Sequence, residues 1–426
     1  MASELGSQMY DLARRLYPIC RSITGEGVRK TLKILQESIP LEIKEVPSGT
    51  EVFDWVVPLE WNIREAWIKD EKGEKVVDFA NHNLHILNYS IPYRGKLSLK
   101  ALKEHIFCLP EKPDLIPYRT SYYNRNWGFC MTYEQLQTLE EGTYEVFIDA
   151  TLASGCLNYG ELVIPGESDE EFLLSTHICH PSLANDNLSG MVLLTHLAQA
   201  VLSRKNYYSY RFLFIPGTIG SITWLALNQG VLPRIKGGLV ASLVGDPAPF
   251  HFKKSRRGNS TLDQVVQYVL EHSNFPFEIL DFHPYGYDER QFCSPGIDLA
   301  VGNLTRSIFG YPEYHTSADN LDFISARDLS ISYEVYLSVI QHWDCNQTYL
   351  NLSPMGEPQL GKRGLYQAIG GQSDSHEQQM AMLWILNQSD GSHTLLDVAR
   401  KSGIPLFTLQ KVAGILQQKK LLQRIH

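Results

Sequence analysis

The spacing of hydrophobic and polar residues changes several times along this chain. Across residues 9–38 apolar side chains recur at helical spacing, with a break at Pro18 and a turn at residues 25–27, which predicts two opening helices. From residue 42 onward the pattern changes to short apolar runs bounded by turns, at 51–58, 63–68, 75–79 and 95–99. Runs of this kind are typical of strands and indicate a small β-rich unit.

An aromatic segment at residues 117–129 follows, which either packs between domains or forms a lip over a cleft. Beyond it, strands are predicted at 144–150, 156–164, 171–175, 210–215 and 237–244. Helices are predicted at 190–202, 219–228 and 262–271. This alternation predicts the α/β fold class, with three layers around a mostly parallel sheet. Because the opening helices precede the β-rich unit, we interpret that unit as an insertion into the α/β domain.

The last part of the chain contains three short segments of helical spacing, at 377–386, 394–402 and 405–417, followed by the apolar run 421–425. Helices of this size with a terminal strand resemble a winged helix-turn-helix, and Gly403-Ile404-Pro405 would form its turn. We therefore expect an α/β domain over 1–45 and 132–348, an inserted β-rich domain over 46–131, and a winged helix-turn-helix domain over 349–426.

Composition narrows the range of partners. The chain has 426 residues, of which 43% are hydrophobic, and this is enough for a large core and more than one domain. A net charge of −9 argues against a protein that mainly coats nucleic acid or an anionic membrane. The predicted recognition helix at 405–418 contains a single basic residue, Lys411, which disfavours nucleic-acid binding and favours a packing or homo-oligomerisation role.

The sequence also bears on the cellular compartment. It shows no N-terminal signal pattern, and no run approaches the roughly 20 apolar residues of a membrane helix, so no membrane partner is expected. The seven cysteines are scattered without CxxC pairs, and their number is odd. Such a pattern favours reduced thiols and a cytoplasmic protein.

Two histidines and an aspartate follow one predicted strand. His177 and His180 come directly after the apolar run 171–175, and Asp186 precedes the predicted helix 190–202. Side chains at the end of a strand point into the cleft where α/β sheets bind ligands. Imidazole and carboxylate groups are zinc ligands, and zinc hydrolases leave one position open for water. The pattern therefore predicts a zinc site at this strand end.

A second cluster, His315-Thr316-Ser317-Ala318-Asp319, lies much later in the chain. The order of His177, the turn Asp186-Asn187-Leu188-Ser189-Gly190 and this late histidine resembles the zinc aminopeptidases of the M28 type. The resemblance is closer to an aminopeptidase-like family that carries an inserted domain of unknown function and a C-terminal winged helix. Its members are often labelled polysaccharide biosynthesis proteins. Further motifs carry this closer resemblance: Gly217-Thr218-Ile219-Gly220-Ser221, Ser255-Arg256-Arg257-Gly258-Asn259 and Asp288-Glu289-Arg290-Gln291.

The resemblance covers nearly the whole chain and implies a three-layer aminopeptidase-like fold with metal ligands at His177, Asp186 and His315. M28 enzymes usually add a Glu-Glu pair, one member as general base and the other as a ligand. This chain has Phe214 and Ile215 at those positions. The usual base is therefore missing.

Two other positions also depart from the M28 pattern. Ser242 stands near the usual aspartate of a second metal site, although Asp246 lies close enough in sequence to replace it. Cys179 stands where another aspartate is usual. We therefore expect one zinc ion, with two as the alternative, and we expect His180 either as a reserve ligand or as a residue that supports the ligands.

Residues 287–290, together with Arg257, are the remaining candidates for catalysis and substrate binding. Glu289 is the predicted general base, because the group that activates water is ordinarily a carboxylate. Asp288 is expected to anchor its loop or to receive the amino group of a substrate. Tyr287, Arg257 and Arg290 are candidate substrate-binding residues, and the two guanidinium groups suit a carboxylate or phosphate.

Two functions from different classes remain open at this point. The first is a zinc-dependent hydrolase that cleaves an amide bond in a peptide or in an aminoacylated or amino-sugar substrate. The second is a degenerate peptidase that binds a small ligand and acts as a non-catalytic sensor or regulator through its winged helix. The missing Glu-Glu pair favours the second function, and metal retained without turnover would distinguish it from the first.

Overall fold

The computed structural model describes residues 2–365 and 373–425. The chain forms two compact units, Met1–Val335 and Tyr336–His426, and the boundary lies within the helix Ala326–Cys345. The first unit is built on an eight-stranded mixed sheet. In spatial order, the strands of this sheet are Glu42–Pro47, Cys156–Ile164, Ser209–Ile215, Glu171–His177, Ile235–Ala241, Val301–Thr305, Phe250–Lys253 and Phe277–Leu280.

The centre of this sheet is parallel and buried. Every residue of Glu171–His177 and of Ser209–Ile215 is buried, as is typical of parallel strands covered on both faces. The four central strands run parallel, whereas the strand that flanks them on each side is antiparallel to its neighbour. The register pairs His177 with Ile215, so the two central strands end at the same edge of the sheet. The predicted α/β fold class is confirmed.

The helices of the first unit include one that packs closely on the central strands. Nearly all of Ser189–Leu202 is buried, and a β-carbon at Gly190 would lie 2.4 Å from the Ala241 carbonyl oxygen and 2.4 Å from Thr176 Oγ1. Glycine at this position therefore allows the helix to approach the sheet. The other α-helices are Ala2–Leu16, Glu26–Gln36, Leu99–Leu102, Tyr133–Gln137, Ile219–Leu227, Thr261–Glu271 and Glu289–Phe292.

A second, antiparallel sheet has four strands, in the spatial order Lys75–Asp78, Glu60–Lys69, Thr143–Ala153 and Tyr93–Ser98. The sequence pattern assigns the third of these to the α/β domain, and the structure corrects that assignment. Tyr144, Val146, Ile148 and Ala150 are buried, whereas the residues between them are partly exposed. This period of two is typical of an antiparallel sheet with one covered face. Shorter pairings join Glu51–Val52 to Trp55–Val56 and Ile106–Phe107 to Phe129–Cys130.

Among its described residues, the second unit combines a small sheet with three α-helices that follow the boundary helix. Its strands are Thr348–Asn351, Asp390–Thr394 and Leu422–Arg424, and its helices after the boundary helix are Ser373–Gln388, Leu395–Ser402 and Leu406–Gln418. Gly403 ends the middle helix at φ 70°, in the left-handed region that glycine favours. Residues 366–372 and 426, which belong to the predicted domain 349–426, lie outside the described residues.

In the part of the chain that the structure describes, no helix is both long and apolar enough to cross a membrane. No disulfide joins the cysteines of this part.

Candidate metal site

The predicted ligands come from three different parts of the first unit. His177 is the last residue of its strand, and His180 follows in the next turn. Asp186 lies in a π-helical turn, Ala184–Leu188, which continues into the helix that packs on the sheet. Single-turn π-helices often occur at functional sites. His315 comes from a later loop, where its backbone has φ 54°.

One oxygen of Asp186 is the centre of the cluster. Its Oδ2 lies 3.7 Å from His177 Nε2, 3.8 Å from His180 Nδ1 and 3.6 Å from His315 Nε2. Two ligands of one tetrahedral zinc ion lie roughly 3.4 Å apart, given bonds of about 2.0–2.1 Å. The ligand atoms of His177, His180 and Asp186 all lie within 4.8 Å of one another, which suits a common ion, and His315 adds a further contact to the same carboxylate oxygen.

Several buried polar atoms of this cluster have no hydrogen-bond partner. Both ring nitrogens of His177, Oδ2 of Asp186 and Nε2 of His315 are buried without a hydrogen-bond partner. Such atoms cost about 1–3 kcal/mol each when they stay unpaired. Burial lowers the pKa of His180 well below its usual value, which favours the neutral imidazole that binds metals. The donor set therefore fits a zinc ion.

Tyr287 and Asp319 hold Asp186 in place. The Tyr287 hydroxyl donates to Asp186 Oδ1 at 2.6 Å. Asp319 accepts from the backbone N–H groups of Asn185 at 2.6 Å and Asp186 at 3.0 Å, and from the Tyr311 hydroxyl at 2.7 Å. Burial, and then the charge of Asp186, raise the pKa of Asp319 to about 7. Asp319 therefore ties the late cluster to the turn that carries the central carboxylate.

Two residues that contact this cluster are not predicted from the sequence. Arg21 is fully buried and donates to the carbonyl of His180 at 3.1 Å, while its Nη2 has no hydrogen-bond partner. Tyr118 donates its backbone N–H to the carbonyl of His315 at 2.7 Å, and its ring packs edge-on against both histidine rings. The aromatic segment 117–129 is a signal for Tyr118, whereas nothing in the sequence pattern marks Arg21.

A cavity of about 360 Å³ opens beside the cluster. It is lined by His177, His180, Asp288, Arg290 and several aromatic residues, namely Trp55, Tyr122, Tyr123, Tyr285, Tyr287, Phe309 and Tyr314. Asp288 Oδ1 accepts from the Thr218 backbone N–H at 2.7 Å and from the Ser221 hydroxyl at 3.1 Å. Burial raises the pKa of Asp288. The cavity thus combines two candidate metal ligands with one carboxylate and one guanidinium group.

Glu289 and Arg257, two of the predicted site residues, are not among the residues that line this cavity. Glu289 is fully buried and pairs with the ammonium group of Lys253. Arg257 is 71% exposed and pairs with Asp298. A carboxylate that is turned to a lysine is poorly placed to take a proton from water. The placement of these side chains therefore gives no support to Glu289 as the base or to Arg257 as a substrate ligand.

The positions considered for a second metal have other contacts. Asp246 accepts from the Asn185 side-chain amide at 2.9 Å and from the Ser307 hydroxyl at 2.7 Å. Cys179 Sγ accepts from the Gly217 backbone N–H at 3.3 Å, and burial raises the pKa of this thiol to about 12. Both side chains therefore already have hydrogen-bond partners within the protein.

Comparison with known proteins identifies the family of the chain. The chain matches a domain of unknown function, DUF4910, over residues 10–346 and a winged helix-turn-helix over residues 347–424. A curated relative from Clostridium acetobutylicum is 51% identical over 424 residues, which cover 100% of this chain and 98% of the relative. Its name describes a polysaccharide biosynthesis protein with an aminopeptidase-like domain.

Solved structures show the same architecture. The crystal structure of a protein described as a peptidase, from Clostridium acetobutylicum, has a TM-score of 0.92 and 49% identity, over 100% of this chain and 97% of that chain. A zinc aminopeptidase from Bacillus subtilis has a TM-score of 0.59 and 14% identity, over 80% of this chain and 95% of that chain. This second likeness shows the fold alone. The resemblance to M28 zinc aminopeptidases and the C-terminal winged helix are confirmed.

Proposed function

The chain belongs to the DUF4910 family, and from its aminopeptidase-like fold we propose that it is a zinc-dependent hydrolase of amide bonds. One observation carries the proposal. Three imidazole nitrogens lie 3.6–3.8 Å from one buried carboxylate oxygen that has no hydrogen-bond partner. A metal ion bound by all four groups would satisfy them together.

Each residue of the cluster has a role in this proposal. His177, His180, Asp186 and His315 hold the ion, and Tyr287 keeps Asp186 oriented. When zinc is bound, the chemistry that it supplies is polarisation of the amide carbonyl and a lower pKa for water.

Asp288 takes the part of the general base in place of Glu289. It lines the same cavity as His177, and its bonds to Thr218 and Ser221 fix the position of its carboxylate. Burial raises its pKa, which favours uptake of a proton from the attacking water. The same group then returns that proton to the amine that leaves.

The bond cleaved is an amide in a peptide or in an aminoacylated or amino-sugar compound. The aminopeptidase-like fold supports a peptide, because the zinc aminopeptidase of Bacillus subtilis shares it. The name of the Clostridium relative supports an amino-sugar compound, because it refers to polysaccharide biosynthesis.

Zinc content and amide hydrolysis, measured on the same samples, test this proposal. Plasma emission on the wild type is expected to give about one zinc ion per chain, and His177→Ala, Asp186→Asn and His315→Ala are expected to lose it. A panel of fluorogenic aminoacyl amides is then run on each sample. Asp288→Asn is expected to keep zinc and to lose activity by roughly 10²–10⁴-fold.

His85→Ala is the matched control for loss of a buried histidine. His85 is 8% exposed, and its Nδ1 lies 2.9 Å from the carbonyl of Cys130. This variant is expected to keep both zinc and activity. A wild-type protein without stoichiometric zinc, or ligand variants with full activity, would contradict the proposal.

A non-catalytic ligand sensor is the second candidate. The winged helix-turn-helix over residues 347–424 favours it, as do Phe214 and Ile215, which are fully buried where M28 enzymes carry their glutamate pair. Zinc bound by the wild type without turnover of any peptide or acyl-amino-sugar compound would shift the assignment to this candidate.

A further inference from the structure

Arg290 differs from Arg256 and Arg257 because no carboxylate in the described part of the chain pairs with it. Its Nη2 donates to Thr218 Oγ1 at 3.3 Å, and its Nε is buried without a hydrogen-bond partner. No carboxylate oxygen of the described residues lies within 4.0 Å of its guanidinium group. A half-buried guanidinium group with unused donors is suited to bind an anion.

Arg256 and Arg257 provide the contrast. Both pair with the same carboxylate, that of Asp298, and the Arg256 pair has an N–O distance of 2.6 Å. Neither residue lines the cavity, whereas Arg290 does. An anion that pairs with Arg290 would therefore reach it through the cavity.

The backbone at Thr218 holds Arg290 and Asp288 together. The N–H of Thr218 donates to Asp288, and its hydroxyl accepts from Arg290. Thr218 has φ 62° and ψ −73°, a conformation that is rare for a β-branched residue. Strain of this kind persists where the surrounding structure fixes it, which is common at ligand sites. A carboxylate and a guanidinium group are thus presented to the cavity by one strained residue.

The volume of the cavity is suited to a small ligand. A volume of about 360 Å³ lies at the small end of the range for ligand sites, which is roughly 300–1,000 Å³. Exposed aromatic rings stand on its walls, with Trp55 against Tyr123 at 5.6 Å and Tyr285 against Phe309 at 4.9 Å between ring centroids. The site therefore suits a compact molecule better than an extended chain.

We propose that the substrate is a small amide that carries an anionic group, a carboxylate or a phosphate, and that Arg290 binds this group. A dipeptide with a free carboxyl end is the simplest member of this class. The choice of an amide rests on the proposed function, whereas the anion contact is independent of turnover.

Equilibrium binding of ligands that cannot be hydrolysed tests the anion contact. The probes are a reduced-bond dipeptide, Leu-ψ[CH2NH]-Gly, its C-terminal carboxamide, and the analogue in which a phosphonate replaces the carboxylate. Calorimetry is run on the zinc-loaded wild type, Arg290→Gln, Arg290→Lys and Arg257→Gln. We expect the wild type to bind the acid about tenfold more tightly than the carboxamide, or better.

The variants decide which guanidinium group is responsible. Arg290→Gln is expected to bind the acid and the carboxamide with affinities within about twofold, and Arg290→Lys to keep part of the preference. Arg257→Gln, which removes an exposed arginine outside the cavity, is expected to keep all of it. The phosphonate arm distinguishes a phosphate substrate, because it would then bind more tightly than the carboxylate.

Three results would overturn the proposal: equal binding of acid and carboxamide by the wild type, a preference that survives in Arg290→Gln, or no binding of any probe. None of them bears on whether the protein hydrolyses amides, because zinc content and turnover are measured separately. A failure of the anion contact is therefore distinguishable from a failure of the proposed function.

Discussion

The buried polar groups at the two ends of the strand Glu171–His177 differ in their hydrogen bonding. At its first residue, the Glu171 carboxylate accepts from Arg211 Nε at 2.6 Å and from Nη2 at 3.0 Å, and Arg211 also pairs with Glu161. At its last residue, neither ring nitrogen of His177 has a hydrogen-bond partner, and the same is true of the facing oxygen of Asp186.

This difference is informative because burial is similar at the two ends. Glu171 is 0% exposed and His177 is 2% exposed. A buried group of charges whose hydrogen bonds are satisfied is complete without a ligand, whereas unsatisfied donors and acceptors need one. The beginning of the strand is therefore structural, and its end has the features expected of the proposed metal site. One strand of seven residues thus carries a structural ion pair at one end and a candidate metal ligand at the other.

The largest effect on stability is expected from Arg211→Met. Arg211 is 6% exposed, and its loss leaves two buried carboxylates, Glu161 and Glu171, without their main partner. We expect the free energy of unfolding to fall by about 3–5 kcal/mol, as measured by urea denaturation without zinc. Arg234→Met is the control, because Arg234 contacts the same Glu171 from a side chain that is 47% exposed, and it is expected to cost about 1 kcal/mol or less. Equal losses in the two variants would show that the network is not the structural element described here.

Removal of zinc is expected to have the next largest effect on the free energy of unfolding. This effect acts through the candidate ligands at the other end of the strand. At free zinc of 100 times the dissociation constant, the wild type should gain about 2.7 kcal/mol of unfolding free energy over the chelated protein. Asp186→Asn should gain none, because it lacks the central ligand. Urea denaturation with EDTA and with buffered zinc measures both. A zinc-dependent gain of the same size in Asp186→Asn would contradict the ligand assignment.

The positions of two candidate ligands could be predicted from the sequence because each stands in a recognisable local pattern. His177 ends a buried apolar run, and Asp186 lies just before a helix, so both positions follow from the hydrophobic spacing. Which of Asp288 and Glu289 lines the cavity could not be predicted in this way. These residues begin the short helix Glu289–Phe292, where successive side chains are rotated by about 100°, so one lines the cavity and the other meets Lys253.

The pairing of strands that lie far apart in the chain could not be predicted from the sequence. The alternating strand Thr143–Ala153 was predictable as a strand, but its partners are Glu60–Lys69 and Tyr93–Ser98, far earlier in the chain. No local pattern shows which sheet a strand joins. The same limit applies to Arg21, which contacts the carbonyl of His180 across more than 150 residues.

A smaller effect on stability than that of Arg211→Met, and the sharpest test of the comparison, is expected from Arg21→Met. Arg21 and Arg211 are both buried arginines, but the bonds of Arg21 go to the main-chain carbonyls of Leu16 and His180, at 2.8 Å and 3.1 Å. Because the variant strands no carboxylate, we expect a loss of only about 1–3 kcal/mol. Zinc affinity, measured by competition with a chromophoric chelator, should fall by about 10–100-fold, since the turn that carries His180 loses its anchor. Arg211→Met should leave the zinc affinity of the folded protein nearly unchanged. If Arg21→Met instead destabilised the fold as much as Arg211→Met and left zinc affinity intact, Arg21 would belong to the structural network and the contrast between the two strand ends would fail.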